Sequence, residues 1–312
     1  MIKVLNTLLP VFVVIGLGLW MARRGYLSRT FMSQLNWLIF WVGLPALIIH
    51  SLASAESLPQ NALPSIGIFF TSTLIVIGLS FITCHFLKLP KERIGTFVQG
   101  AFRGNLAFAG LPIIVFAVSE ENPELVGAAV AQVMFLLAPA MLLYNTAAVI
   151  FLVSSSEGFS LSEIGDIFRK VATNPLILAS LIGVGIFALP FDLPHFAMNT
   201  LGLIGEMAAP GSLFCVGGAI AFVSMEGRYR SASFATALKV LVLPAITAGL
   251  LLFIEVDPMA RLVLLVLSAC PTAVASYIMA TALDGDEALA AGAVVISTAA
   301  CIPVLGLIIA LN

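Results

Sequence analysis

Few residues in this chain could do chemistry, and their placement makes them informative. Arg103 and Asn105 open the stretch RGNLAFAGLP (103–112), while Ser268, Pro271, Thr272, Ser276 and Tyr277 fall in SACPTAVASYIMA (268–280). A guanidinium grips a carboxylate with two parallel bonds, and amide, hydroxyl and phenol groups can fix its orientation. Gly104, Gly110 and Pro112 in the first stretch, and Pro271 in the second, loosen the backbone or delete a donor. A helix opened in this way exposes N–H groups and the positive end of its dipole, both able to hold an anion. These residue types point to reversible binding of a small anion. Enzyme signatures are missing: the sequence has no HExxH, no GxSxG and no Walker loop.

Other polar residues sit alone in apolar surroundings. Glu206 is a carboxylate well inside an apolar span, four residues before Pro210. An intramembrane carboxyl is a functional candidate by default, which makes Glu206 the candidate for proton coupling. A static ion pair with Arg103 or Lys239 is the alternative. Gln132 and Asn145, with Ser297 and Thr298, either line a cavity or bond between helices; Gln132 is read as cavity-lining. Lys239 is expected to snorkel towards the cytoplasmic end of its span, and His50 to lie near the interface.

The elements that must position these residues are membrane spans. The chain has 312 residues, 61% hydrophobic and only 10% charged, where a soluble globule has about 25% charged residues. Runs without Asp, Glu, Lys or Arg cover 4–22, 30–55, 57–87, 125–156, 171–191, 262–283 and 288–312. Three more spans (93–118, 196–224, 231–254) qualify if Arg103, Glu206 and Lys239 are tolerated inside. The reading is an all-α polytopic membrane protein of ten spans, retained in the plasma (inner) membrane. Net charge is −2 with no basic patch, so nucleic acid is excluded as a partner. The four cysteines form no CxxC pair and no metal framework.

Loop charges set the orientation. Arg23, Arg24 and Arg29, then Lys88, Lys91 and Arg93, then Arg169 and Lys170, then Arg228 and Arg230 alternate with loops that carry Glu56, Glu120, Glu121, Glu124, Asp192, Glu255 and Asp257. The positive-inside rule puts the basic set in the cytoplasm and both termini outside. The acidic loop DGDE (284–287) dissents, since it should be cytoplasmic.

Prolines recur at nearly one offset. Pro10 and Pro175 are 165 residues apart, as are Pro45 and Pro210, and Pro139 and Pro303 are 164 apart. A unit of five spans enters on one side and leaves on the other, so its second copy is inverted. The expected domains are a first repeat at 1–153, a cytoplasmic amphipathic linker at 154–170 and a second repeat at 171–312. In the linker, Ser160 and Glu163 form a capping box before Leu161, Ile164, Ile167, Phe168 and Val171; extension of the sixth span is the alternative.

With PVFVVIGLGLWMARRGYLS (10–28), WLIFWVGLPALII (37–49), RGNLAFAGLP (103–112), NPLILASLIGVG (174–185) and CPTAVASY (270–277), the chain resembles the auxin efflux carrier family along its whole length. This family of membrane transport proteins includes bacterial carriers and the plant PIN proteins. The resemblance implies ten helices in two inverted five-helix repeats, with spans 4 and 9 crossing at Pro112 and Pro271. It also implies a scaffold of spans 1, 2, 6 and 7, with a transport domain of spans 3–5 and 8–10 moving as an elevator. Members move organic anions such as auxin or small carboxylates. The related bile acid sodium symporters place acidic and amide ligands at the span 9 crossing, whereas Ala269–Tyr277 offers neither here. The expected function is therefore a secondary carrier of small organic anions, without cofactor or metal, with H⁺ favoured over Na⁺ as coupling ion. A homodimer is the candidate assembly. A sodium-coupled anion symporter, and a channel or receptor-like sensor on a transporter fold, are the alternatives.

Overall fold

The computed structural model describes residues 2–54, 62–120, 122–156, 173, 175–188, 193–222 and 227–312. Most of the linker expected at 154–170 lies outside them, as do Glu56, Glu121, Arg169, Lys170 and Asp192. Long apolar runs can satisfy their own backbone only as helix when water is absent. Accordingly, the described residues are helical apart from short loops and one isolated bridge between Gly104 and Thr272.

In chain order the helices are α1 (Ile2–Arg23), α2 (Arg29–Leu38), α3 (Leu44–Ala53), α4 (Ala62–Leu87), α5 (Lys91–Phe102), α6 (Leu111–Ser119) and α7 (Val126–Ser156). They continue as α8 (Pro175–Ala188), α9 (His195–Glu206), α10 (Ala208–Ala221), α11 (Tyr229–Ala237), α12 (Leu243–Leu250), α13 (Pro258–Ala269), α14 (Ala275–Ala282) and α15 (Glu287–Leu311). Among the described residues, six continuous helical segments are long and apolar enough to cross a bilayer: Arg29–His50, Ala62–Leu87, Pro123–Leu152, His195–Ala221, Tyr229–Leu250 and Glu287–Leu311. Leu9–Arg23, Leu106–Ser119 and Pro258–Ala269 are shorter apolar helices. Two of these three are halves of the stretches that proline and glycine interrupt.

Proline shapes three spans in one way. The π-helical turns Ile39–Gly43, Leu106–Gly110 and Leu238–Val242 each end two residues before Pro45, Pro112 or Pro244. A proline ring has no N–H and clashes with the carbonyl four residues earlier. Widening the preceding turn by one residue relieves that clash without ending the helix.

By contacts the chain divides into two compact units. Unit 1 comprises Met1–Ala62, Ala107–Pro139 and Lys170–Phe222. Within it α1 packs on α10, and α3 packs on α8 and α9. Glycine sets the α1–α10 approach: a Cβ on Gly217 would overlap the Ile15 carbonyl. Small residues allow such close backbone crossings in a membrane, where apolar burial gives no preference for helix over lipid.

Unit 2 comprises Leu63–Leu106, Ala140–Arg169 and Val223–Asn312. Here α5, α11, α13, α14 and α15 pack around one another. Every residue of α5 from Gly95 to Phe102 is buried, as is every residue of α13 from Val263 to Ala269. A helix buried on all faces is an interior element, so the two helices that lead into the interrupted stretches form the centre of unit 2.

Candidate functional site

Helix α5 stops at Phe102, and α13 stops at Ala269. Arg103 is extended (φ −76°, ψ 94°), as is Cys270 (φ −60°, ψ 153°). The two ends meet as a short antiparallel bridge. Asn105 N donates to the Pro271 carbonyl at 2.7 Å, and Ala273 N donates to the Arg103 carbonyl at 2.9 Å. Two further bonds tie down the segment. Thr272 N donates to Ser297 Oγ at 2.9 Å, and Thr272 Oγ1 donates to the Gly100 carbonyl at 2.9 Å. Thus backbone groups at each interruption bond across to the other one or to α15, as burial demands. Gly104 is required at the bridge, since a Cβ there would stand 2.9 Å from Cys270 Sγ and 3.1 Å from Lys239 Cε.

Arg103 is 5% exposed. Its Nη2 donates to Asn145 Oδ1 at 2.8 Å, and Nη1 donates to Met279 Sδ. Both acceptors are neutral. Among the described residues no Asp or Glu is buried, and both ion pairs involve Asp286 rather than Arg103. A buried cation is normally paired with an acid or hydrogen-bonded throughout, so Arg103 leaves positive charge uncompensated by these contacts.

Lys239 corrects the sequence expectation. It does not snorkel: it is 0% exposed, and its Nζ donates to the Ser268 carbonyl. Tyr144 escaped the sequence reading. It is 1% exposed, with its ring centroid 5.5 Å from Phe102 and 6.0 Å from Phe69. Its hydroxyl lies near the Gly104 main chain and the Thr73 hydroxyl, while Ser276 Oγ and the side-chain amide of Gln99 have no hydrogen-bond partner among the described residues. The only hint in the sequence was the polar pair Tyr144–Asn145 in an otherwise apolar run.

Of the expected site residues, Arg103, Asn105, Pro271, Thr272, Ser276 and Tyr277 belong to unit 2. The structure brings Arg103, Asn105, Pro271 and Thr272 together at the bridge, with Ser276 buried on α14 and Tyr277 half-buried beside it. Gly110, Pro112 and Gln132 are buried in unit 1. Glu206, also in unit 1, is exposed at the last residue of α9. Glu206 lies inside the helical segment His195–Ala221, as expected, next to a one-residue turn at Met207, but its side chain is exposed rather than buried.

The dissenting acidic loop is accounted for within unit 2. Asp286 Oδ2 accepts from Arg228 Nε at 2.6 Å and lies 3.1 Å from Arg93 Nε. Asp286 Oδ1 also caps α15 by accepting from Leu289 N at 2.9 Å. Residues 284–287 therefore share one end of unit 2 with the basic residues Arg93 and Arg228.

Comparison with known proteins agrees with these features. The chain is 22% identical over 314 residues to an uncharacterized transporter of Methanocaldococcus jannaschii, covering 97% of each protein. It is 27% identical over 225 residues to the "Putative malonate transporter" of Rhizobium meliloti (strain 1021), covering 70% of this chain and 67% of that one. An uncharacterized transporter of Saccharomyces cerevisiae is 24% identical over 143 residues, or 42% of this chain and 22% of its own length. These relatives are transporters rather than enzymes. The family model described as "Membrane transport protein" matches residues 3–309, and the chain belongs to that family, the auxin efflux carrier family.

Proposed function

We propose that the protein is a secondary carrier of small organic anions. One observation carries the reading. Arg103 is buried at the interrupted helices, bonded to neutral groups, in a unit with no buried acid among its described residues. A guanidinium so placed has a fork of donors suited to a carboxylate. Asn105, Thr272, Ser276, Tyr277 and the interrupted backbone around Pro271 complete the site in unit 2; Gly110, Pro112 and Gln132, which belong to unit 1, are proposed as substrate-binding from the sequence pattern. The name of the Rhizobium relative supports a short dicarboxylate as substrate.

The fold we propose is ten transmembrane helices in two inverted repeats. Support comes from glycines inside unit 1. A Cβ on Gly18 would strike Phe214 and Gly218, while one on Gly183 would strike Leu52. Gly183 stands 165 residues after Gly18, and Gly217 stands 165 after Leu52. The α1–α10 and α3–α8 crossings thus use equivalent positions with the repeats exchanged. Transport then proceeds by elevator-type alternating access, with spans 1, 2, 6 and 7 as scaffold and spans 3–5 and 8–10 as transport domain. The first four fall in unit 1; spans 8, 9 and 10, nearly all of span 3 and the first half of span 4 fall in unit 2, whereas the second half of span 4 and the first part of span 5 fall in unit 1. The protein resides in the plasma (inner) membrane with both termini outside, and the shared end of Arg93, Arg228 and Asp286 supports that loop assignment. The homodimer stands as the proposed assembly.

Coupling is assigned to H⁺, carried by Glu206. Uptake of labelled mono- and dicarboxylates into proteoliposomes tests the whole reading, with no gradient, a proton gradient or a sodium gradient. Saturable uptake raised by protons is expected, and Glu206→Gln should abolish the proton stimulation while leaving exchange of bound substrate intact. Non-saturating current would instead mark a channel. Binding without flux would mark a sensor, and stimulation by sodium alone a sodium symporter.

A further inference from the structure

Lys239 is a buried cation whose partner is main chain, at a place that helix geometry explains. In an unbroken helix the Ser268 carbonyl would accept from the amide four residues later, that of Thr272. That amide donates to Ser297 Oγ instead, at 2.9 Å. The interruption therefore strips Ser268 of its helical donor at the C-terminal, electronegative end of α13. Lys239 Nζ takes the vacated carbonyl. Its stem runs along the crossing, with Cε 3.1 Å from where a Cβ on Gly104 would lie. Cys270 Sγ approaches the same point.

These are the surroundings in which a small monovalent cation is held: a carbonyl oxygen, the negative end of a helix dipole, full burial and glycine at closest approach. No carboxylate among the described residues lies within ion-pair distance of the ammonium. We infer that the Lys239 ammonium is a built-in cation, filling at the crossing of the interrupted helices the place that a diffusible alkali cation would otherwise take. The positive group that steadies the crossing then belongs to the protein itself, and the site has no use for Na⁺. The inference extends the carrier reading to its coupling ion. Its test uses melting rather than flux, so it can fail while the carrier reading stands, and the reverse.

The purified full chain and its Lys239→Ala and Lys239→Ser variants would be melted in NaCl, LiCl, KCl and choline chloride at equal ionic strength. The wild type should melt at one temperature in all four salts. Lys239→Ala should melt lower in choline and recover with one small alkali cation. At saturation the recovery should be about 3 °C, the order expected for a ligand at roughly ten times its dissociation constant. Lys239→Ser adds a hydroxyl ligand and should recover further. A wild type stabilised by Na⁺ over choline would overturn the inference whether or not either variant folds. So would folded variants that melt alike in all four salts.

Discussion

Two groups of charges in unit 2 are built on opposite plans. At one end Asp286 meets Arg93 and Arg228, each about a third exposed, and caps α15 with its second oxygen. At the bridge Arg103 and Lys239 are 5% and 0% exposed, and their described partners are an amide oxygen, a thioether and a main-chain carbonyl. Where water reaches, opposite charges fasten loops at small cost. In the buried centre, where a lone charge is most expensive, the chain puts cations without acids. Such an arrangement is poor design for a purely structural core. It is sound design for a place that receives an anion, because a permanent acid there would compete with the substrate.

The largest effect should follow from breaking the buried side of this comparison. Arg103→Gln keeps a donor for Asn145 and removes the charge. Bonds to charged groups are worth about 1.5–3 kcal/mol, so dicarboxylate affinity should fall by roughly 10- to 100-fold, while the melting temperature changes little. Isothermal titration or competition for uptake would read it. An unchanged affinity would make Arg103 structural and leave the contrast without functional content.

Next in size is the bridge itself. Thr272→Val preserves shape and leaves the buried Gly100 carbonyl without the hydroxyl that donates to it at 2.9 Å. An unsatisfied buried acceptor costs about 1–3 kcal/mol, so the variant should unfold earlier on heating. If its melting point and uptake both match the wild type, the crossing does not depend on its side-chain bonds.

The contrast also marks what could be read before any coordinates. The apolar runs gave the helices, because a bilayer leaves backbone groups no other partner. The interruption at Pro271 was legible, since proline acts through local chemistry; in the other stretch the helix stops at Phe102 and bridges through Gly104 and Asn105 rather than at Pro112, which lies inside α6. Depth along a span was legible too, but the direction a side chain takes was not. Lys239 and Glu206 show this most clearly. Both were located well inside a span, yet one turns to the centre and the other lies exposed. Lys239 finds a carbonyl released by an interruption 29 residues away, and no local pattern contains that. Glu206 lies within the continuous segment His195–Ala221 as read, but which face of that segment is covered depends on packing that the local pattern does not contain. Asp286 looked like an exception to the charge rule, because its partners come from two other loops. The capping role was visible in principle: Asp three residues before Leu289 at the start of a long apolar run is an N-cap pattern.

The smallest expected effects lie at that outer cluster, and they separate its two functions. Asp286→Asn retains a side-chain oxygen for the Leu289 amide, since Asn caps as well as Asp, and it removes the charge facing Arg93 and Arg228. Partly exposed ion pairs are worth about 0–1 kcal/mol and weaken with salt, so this variant should melt slightly below the wild type at low salt and level with it at high salt. Asp286→Ala loses the cap as well, which adds about 0.5–2 kcal/mol that salt does not restore. Substrate affinity should be the same in both, because neither touches the bridge. If Asp286→Asn lowered affinity as far as Arg103→Gln does, the outer charges would be energetically linked to the buried ones. The two groups would then be one electrostatic system rather than two plans.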